Sequence, residues 1–157
     1  MGDVLNTWLK QTAPLEPGLE AMLNLFVASR FVESDLEAQL NEFGITRRQY
    51  NVLRILKGVY PSGHPRSEIA ARVLEPSPDI TRIVDRLEEQ GLITRKQGKE
   101  DKRTSLAIIT QRGIAVVEKV APRVVQFTRA LEKNLTKEGC MELTELCEKL
   151  YADKVRE

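Results

Sequence analysis

The sequence contains few of the residues from which metal sites, disulfide frameworks and many hydrolytic sites are built. Its 157 residues include one histidine, His64, and two cysteines, Cys140 and Cys147. The cysteines lie seven positions apart in one predicted helix, a separation of about 10 Å along its axis, which is too far for a disulfide. With no further ligand nearby they form no zinc site. We therefore expect reduced thiols and neither a metal nor a cofactor.

Long apolar runs and a strong excess of one charge are also missing. No run is long enough to cross a membrane, and the N-terminus lacks a basic-then-apolar signal pattern, so we expect a cytoplasmic protein with no membrane partner. Lys and Arg number 24 against 23 Asp and Glu, a net charge of +1. Any nucleic-acid binding must therefore come from a local basic patch. Four Phe, three Tyr and one Trp are few for a single-strand binder that stacks bases.

One stretch, SPDITRIVDRLEEQG, predicts a short helix from Ser77 to Gly91. Ser77 can cap the first turn, Pro78 suits a position that needs no N–H, and Asp79 places negative charge at the positive end of the helix dipole. Gly91 suits the left-handed position that ends a helix.

The two faces of this helix differ in chemistry. One is an apolar stripe, and the remainder is polar and partly basic. Such a combination is typical of a helix that reads the major groove of DNA, although an ordinary solvated face has similar residues. The stripe is Ile80, Ile83, Val84 and Leu87; the other face carries Thr81, Arg82, Asp85 and Arg86.

The preceding segment predicts a helix-turn-helix. Thr46 and Gln49 form a capping box that opens a helix from Arg47 to about Gly58. Turn-forming residues fill the linker 60–65, and a short helix follows from about 65 to 73. A turn at 74–76 then leads into the Ser77 helix, giving two short helices joined tightly.

A basic hairpin follows. Two predicted strands, 92–96 and 104–110, flank the segment QGKEDKR. A hairpin in this position is typical of a wing whose tip reaches a minor groove or neighbouring phosphates. A solvated tip is the simple alternative, but the order helix, turn, helix, basic hairpin favours a winged helix that binds nucleic acid. The cations counted around the tip are Arg95, Lys96, Lys99, Lys102 and Arg103, against Glu100 and Asp101.

The predicted fold class is mainly α with a small β component: a winged helix-turn-helix core with a two-stranded wing, flanked by helices that form a dimerisation subdomain. We divide the chain into an N-terminal arm (1–16), a first dimerisation helix (17–44), the DNA-binding domain (45–110) and C-terminal dimerisation helices (111–157). Thr110 and Thr136 are predicted to cap the last two helices, and Pro122 to kink the first of them.

Two stretches resemble the MarR family of winged-helix regulators. SPDITRIVDRLEEQGLITR, 77–95, is similar to the family's recognition helix and first wing strand, and EDKRTSLAIITQRG, 100–113, to its wing signature. The resemblance implies a homodimer on a palindromic operator in double-stranded DNA, usually as a repressor. It also implies a possible small-molecule effector, phenolic or anionic and aromatic, between the first long helix and the second and fifth helices. The matched wing positions are Asp101, Arg103, Thr110 and Gly113.

The resemblance also assigns site residues. Arg103 would contact the minor groove or its phosphates with Lys102 nearby, and Asp101 would support the wing. The family's peroxide sensors use a cysteine near the first helix, and this chain has none there. The residues assigned to the major groove are Ser77, Pro78, Asp79, Thr81, Arg82 and Arg86.

Two other functions compete. A winged helix can serve protein contact alone, with its basic wing against an acidic partner. An enzyme would have to use His64, which lies in the linker far in sequence from both cysteines, and no glycine-rich phosphate loop occurs. We interpret His64 as a turn residue near the DNA-facing side and expect no enzymatic activity.

Overall fold

The computed structural model describes residues 3–74, 79–97 and 105–155. The backbone forms two compact units, Met1–Arg47 and Arg48–Glu157. The first unit contains two helices and the second contains the remaining helices and a small sheet. The elements are α1 (Asp3–Leu9), α2 (Pro17–Asn41), α3 (Arg47–Gly58), β1 (His64–Pro65), α4 (Arg66–Arg72), α5 (Ile80–Glu89), β2 (Ile93–Gln97), β3 (Ser105–Ile109) and α6 (Gln111–Val155).

In the first unit, α1 is held to α2 by aromatic packing. The Trp8 and Phe31 rings meet edge to face with centroids 5.2 Å apart, and the Arg30 guanidinium lies 6.0 Å from the Trp8 ring. Pro17 begins α2 without loss of a hydrogen bond. Much of the apolar surface of α2 stays exposed in the single chain, at Leu19, Met22, Leu25, Phe26, Phe31 and Val32.

The core of the second unit is formed largely by the apolar stripes predicted from the sequence. α3 runs between the bounds expected from the sequence and buries Tyr50, Leu53 and Leu56. The amide of Gln49, itself buried, donates to Gln90 Oε1 at 3.2 Å, which ties α3 to the end of α5. The other buried apolar residues of the unit include Ile69, Ile80, Val84, Leu87, Leu92, Ile93, Ala107, Ile109, Val117 and Val120.

The sheet is antiparallel, with strand order β1-β3-β2. The strands of the wing, β2 and β3, are confirmed to within about a residue, but the sheet has a third strand that the sequence did not predict. His64 lies in β1 opposite Ala107, so its interpretation as a turn residue is wrong. Gly63 has φ +78°, and a Cβ there would lie 2.5 Å from the Ala107 carbonyl oxygen. The linker therefore lies so close to β3 at Gly63 that only glycine fits there.

The two ends of α5 differ in how well the sequence predicted them. Gly91 has φ +68°, its N–H donates to the Glu88 carbonyl, and the Leu92 N–H donates to that of Leu87. This is the predicted glycine C-terminus in its Schellman form. The predicted start at Ser77 is earlier than the observed one: α5 begins at Ile80, Asp79 occupies the N-cap position without a side-chain cap hydrogen bond, and the Ile83 N–H donates to the Asp79 carbonyl at 3.1 Å. Ser and Asp are both good caps, and two such residues lie two positions apart; Ser77 and Pro78 fall outside the described residues.

Two threonines cap the C-terminal helical segments as predicted. Gly113 N–H donates to Thr110 Oγ1 at 3.1 Å, and Gly139 N–H donates to Thr136 Oγ1 at 3.2 Å. Thr136 (φ 64°, ψ 166°) breaks α6 into two helices, whereas Pro122 lies in a stretch that keeps helical dihedral angles. Among the described helices, none has an apolar stretch long enough to span a membrane.

Gly113 provides a test of this packing. A Cβ at this position would collide with the Leu92 carbonyl oxygen and lie 2.7 Å from Ile109 Cγ1. Since one neighbour is backbone, Gly113→Ala should lower the free energy of unfolding by about 1–3 kcal/mol, measured by urea denaturation. Gly58→Ala is the matched control, because nothing lies within 4 Å of its Cβ. Equal stability of the two variants would contradict the close packing of Gly113 against Leu92 and Ile109.

Candidate nucleic-acid interface

Burial of one side of α5 decides which of its residues face solvent. Ile80, Val84 and Leu87 are buried, and α5 contacts α4 and β2. Thr81, Arg82 and Arg86 are consequently exposed together on the other side. This is the face that the sequence predicted as the reading face.

Among the described residues, neither arginine of this face is held by a strong ion pair. Arg82 Nη1 lies 3.7 Å from Asp79 Oδ1, and its side chain is 77% exposed. An ion pair this long and this exposed contributes little, so the guanidinium can turn toward another anion at small cost. Within the described ranges Arg86 makes no ion pair. Both arginines are thus available to a ligand that approaches α5.

Arg95 has a different role from the one its sequence position suggested. The sequence places it among the cations around the basic tip of the wing, but its guanidinium pairs with Asp85 and lies 3.3 Å from Glu88 Oε2. Both carboxylates belong to α5, so Arg95 ties β2 to the reading helix. The pairing crosses ten residues between a helix and a strand, and no local pattern marks it.

Arg66 is a second residue that the sequence analysis did not single out. It is the first residue of α4, and its Nη1 donates to Thr81 Oγ1 at 3.0 Å. An open cleft of about 540 Å³ lies between α4, α5 and the sheet and is lined by both Arg66 and Arg95. Two arginines from other elements therefore contact α5. Arg66 contacts its first turn, and Arg95 contacts it further along the helix.

Some predicted site residues fall outside the part of the chain that the structure describes. These are Ser77 and Pro78 before α5 and Asp101, Lys102 and Arg103 at the tip of the wing. Their assigned roles remain predictions.

A second cavity, also about 540 Å³, lies between α3 and the first half of α6. Two of the three helices predicted to border an effector pocket line it. Apolar groups come from α6, and cations come from α3, where Lys57 Nζ also lies 3.0 Å from Glu118 Oε1. The lining residues are Tyr50, Arg54, Lys57, Gly58, Val117, Ala121, Val124 and Val125.

The residues considered for other chemistry are dispersed. Nε2 of His64 is buried in the sheet, with no hydrogen-bond partner in the described regions. Cys140 and Cys147 are free and half-buried on α6. In residues 3–74, 79–97 and 105–155, no group of three His, Cys, Asp or Glu side chains could hold a metal ion.

The order of elements defines the class of protein. α4 and α5 form a helix-turn-helix with an exposed basic face on the second helix, and β2 and β3 form the hairpin behind it. Such an arrangement is a winged helix-turn-helix.

Comparison with known proteins gives the family. The MarR family model matches residues 45–105. The transcriptional regulator YwoH of Bacillus subtilis is 31% identical over 104 residues, which cover 66% of this chain and 74% of that protein. The chain belongs to the MarR family of winged-helix transcription regulators.

Solved structures agree on the fold. A complex of S. aureus MepR with DNA has a TM-score of 0.76 at 20% identity and covers 89% of this chain and 99% of that one. The organohalide-sensing regulator RdhR, bound to 2,4-dichlorophenol, has a TM-score of 0.78 at 18% identity and covers 88% and 82%.

Removal of Arg95 tests its pairing with α5. Arg95→Ala leaves Asp85 and Glu88 without their shared cation, so stability should fall by less than about 1 kcal/mol, because the groups are partly exposed. The loss should shrink in high salt, which screens the exposed carboxylates. Arg72→Ala is the control on α4, where Arg72 pairs with the single carboxylate of Glu68. Urea denaturation of both variants at low and high salt checks this; an Arg95→Ala loss that is independent of salt would argue against an ion pair.

Proposed function

We propose that the protein is a sequence-specific regulator of transcription that binds double-stranded DNA as a homodimer, usually to repress. The observation that carries this proposal is the exposed Thr81, Arg82 and Arg86 face of α5, set by the buried stripe behind it. Membership in the MarR family supports it, and MepR, which has the same fold, has been solved on DNA.

The proposed contacts divide by chemistry. Arg82 and Arg86 read bases, because a guanidinium can donate two parallel hydrogen bonds to guanine. In the wing, Arg103 and Lys102 contact the minor groove or its phosphates, and Asp101 supports Arg103. The remaining major-groove residues are Ser77, Pro78, Asp79 and Thr81.

The exposed apolar residues support a dimer. Large apolar side chains are exposed on α2 and, separately, beyond Thr136 on α6, and clusters of exposed apolar residues on a helix mark interaction sites. A two-fold pairing of these helices would present two copies of α5 about 34 Å apart, one turn of DNA. The exposed residues of α6 in this region are Met141, Leu143, Leu146, Leu150, Tyr151 and Val155.

Selection from random duplex DNA tests the proposal. The full chain is used at about 150 mM salt to suppress non-specific phosphate binding. We expect an enriched palindrome with half-sites one turn apart. Failure to enrich any duplex, repeated after refolding to remove bound ligand, would instead favour a winged helix that contacts only proteins.

Arg82→Ala should then weaken binding to the selected duplex by about 1–3 kcal/mol and flatten the base preference at one position per half-site. Fluorescence anisotropy on the selected duplex and on single-base variants measures both effects. Arg72→Ala removes the same charge from α4 and should leave base preference unchanged. An equal loss on every sequence would make Arg82 a phosphate contact.

We also propose that the α3–α6 cavity takes the effector, a small anionic aromatic compound. Its apolar wall and the cation Arg54 suit a ring that carries a carboxylate or phenolate, while Lys57, which lines the same wall, pairs with Glu118. RdhR, of the same fold, binds 2,4-dichlorophenol.

Hydroxybenzoates are the probes for this site. They should release the protein from its selected duplex, and Arg54→Ala should require about tenfold more compound, the effect of losing one charge-assisted hydrogen bond. Arg129→Ala, on α6 outside the cavity, is the control and should respond like the unmodified chain. Release at the same concentration from Arg54→Ala would place the effector elsewhere.

A further inference from the structure

The hydrogen bond between Arg66 and Thr81 links the two helices of the helix-turn-helix at their exposed surface. Arg66 Nη1 lies 3.0 Å from Thr81 Oγ1, and both residues are exposed. Thr81 is the second residue of α5, in the first turn of the reading helix. An exposed hydrogen bond adds little to stability because water offers the same partners to both groups. The main effect of this bond is therefore on the orientation of the Thr81 hydroxyl.

Chemistry fixes the direction of this bond. A guanidinium only donates hydrogen bonds, whereas a threonine hydroxyl has one proton and two lone pairs. The Thr81 oxygen is therefore the acceptor, and its single O–H proton points away from Arg66. Within the described residues no acceptor takes that proton. The bond accepted from a guanidinium polarises the O–H, so on the face that carries Arg82 the hydroxyl is a strengthened donor and its remaining lone pair a weakened acceptor.

The position of Arg66 is set by the sheet. Pro65 precedes it, pairs with Leu106 of β3 and has a φ fixed by its ring. The guanidinium thus reaches Thr81 from a backbone anchored to the wing. A threonine in a helix divides between two χ1 rotamers, and the bond to Arg66 favours the one that brings Oγ1 to it. This order exists before any ligand arrives, so binding does not have to supply it.

We propose that Arg66 is a positioning residue for specificity: it holds the Thr81 hydroxyl so that its O–H donates to one base acceptor in the major groove. The role rests on the proposed DNA-binding function and deepens it. Guanine O6 and N7, adenine N7 and thymine O4 accept such a bond, whereas cytosine presents only an amino donor. One position in each half-site should therefore disfavour cytosine because of Thr81.

The test uses the full chain and the duplex selected by it. Arg66→Ala and Thr81→Val should each weaken binding by about three- to tenfold, the size of one hydrogen bond, and should both remove the discrimination against cytosine at the same base pair. Because the two residues act as a unit, the double variant should have the same base preference as Thr81→Val, and its further loss of binding should not exceed the loss caused by Arg72→Ala. Arg72→Ala serves as the control for loss of one positive charge from α4.

Thr81→Ser separates positioning from general structure, because it keeps the hydroxyl and removes the methyl group. Arg66→Ala should still reduce discrimination in the Thr81→Ser background and should have no effect in the Thr81→Val background. Thermal unfolding of each variant should match the unmodified chain, which shows that the loss is not one of folding.

Two results would overturn this role. Additive losses that are equal on all duplexes, with a salt dependence reduced by about one phosphate, would make Arg66 a direct phosphate contact. Unchanged base preference in Arg66→Ala would remove the role altogether. Failure of the unmodified chain to enrich any duplex is a separate outcome, which overturns the proposed function and this role with it.

Discussion

The rotation of α5 about its own axis is the constraint on which the exposed surface depends. Ile80, Val84 and Leu87 are buried and α5 contacts α4 and β2, so rolling the helix would expose two or three large apolar side chains, at roughly 1.5–3 kcal/mol each. The Schellman end at Gly91 prevents sliding along the axis, because Leu92 continues directly from the helix into the core. Given this fixed rotation, the positions of Arg82 and Arg86 follow from the 3.6-residue repeat alone.

The parts of this site that could be predicted from the sequence are those with a local physical signature. The bounds of α3, the glycine end of α5 and the caps at Thr110 and Thr136 each depend on residues within a few positions of one another. The stripe of α5 is equally local. The start of α5 is less well determined by the sequence, because Ser77 and Asp79 both belong to the residue types that favour the N-cap position and the pattern does not choose between them.

What could not be predicted depends on pairing across the fold. β1 is two residues long and is a strand only because it pairs with β3. His64 and Pro65 therefore have the geometry of a strand, although their residue types are typical of a turn. Arg66 and Arg95 were ordinary exposed cations in the sequence, and their partners lie 15, 10 and 7 residues away, in α5. Each of these pairs joins two different elements, so no periodicity within one element indicates these contacts. The structure is needed to show that both arginines act on the same helix.

The charge on α5 explains why the reading helix needs arginines from other elements. Between Ile80 and Glu89 the helix carries Asp85, Glu88 and Glu89 against Arg82 and Arg86, so alone it is slightly acidic and would repel a phosphate backbone. Arg95 neutralises Asp85 and Glu88 on one side, and Arg66 adds a cation beside Thr81 on the other. A chain with a net charge of only +1 can therefore present a locally basic face, because Arg95 of β2 pairs with two of the three carboxylates of α5 while the two arginines of α5 stay exposed. In this view Arg95 has two effects at once, since the ion pairs that tie β2 to α5 also remove two negative charges from the helix that carries Arg82 and Arg86.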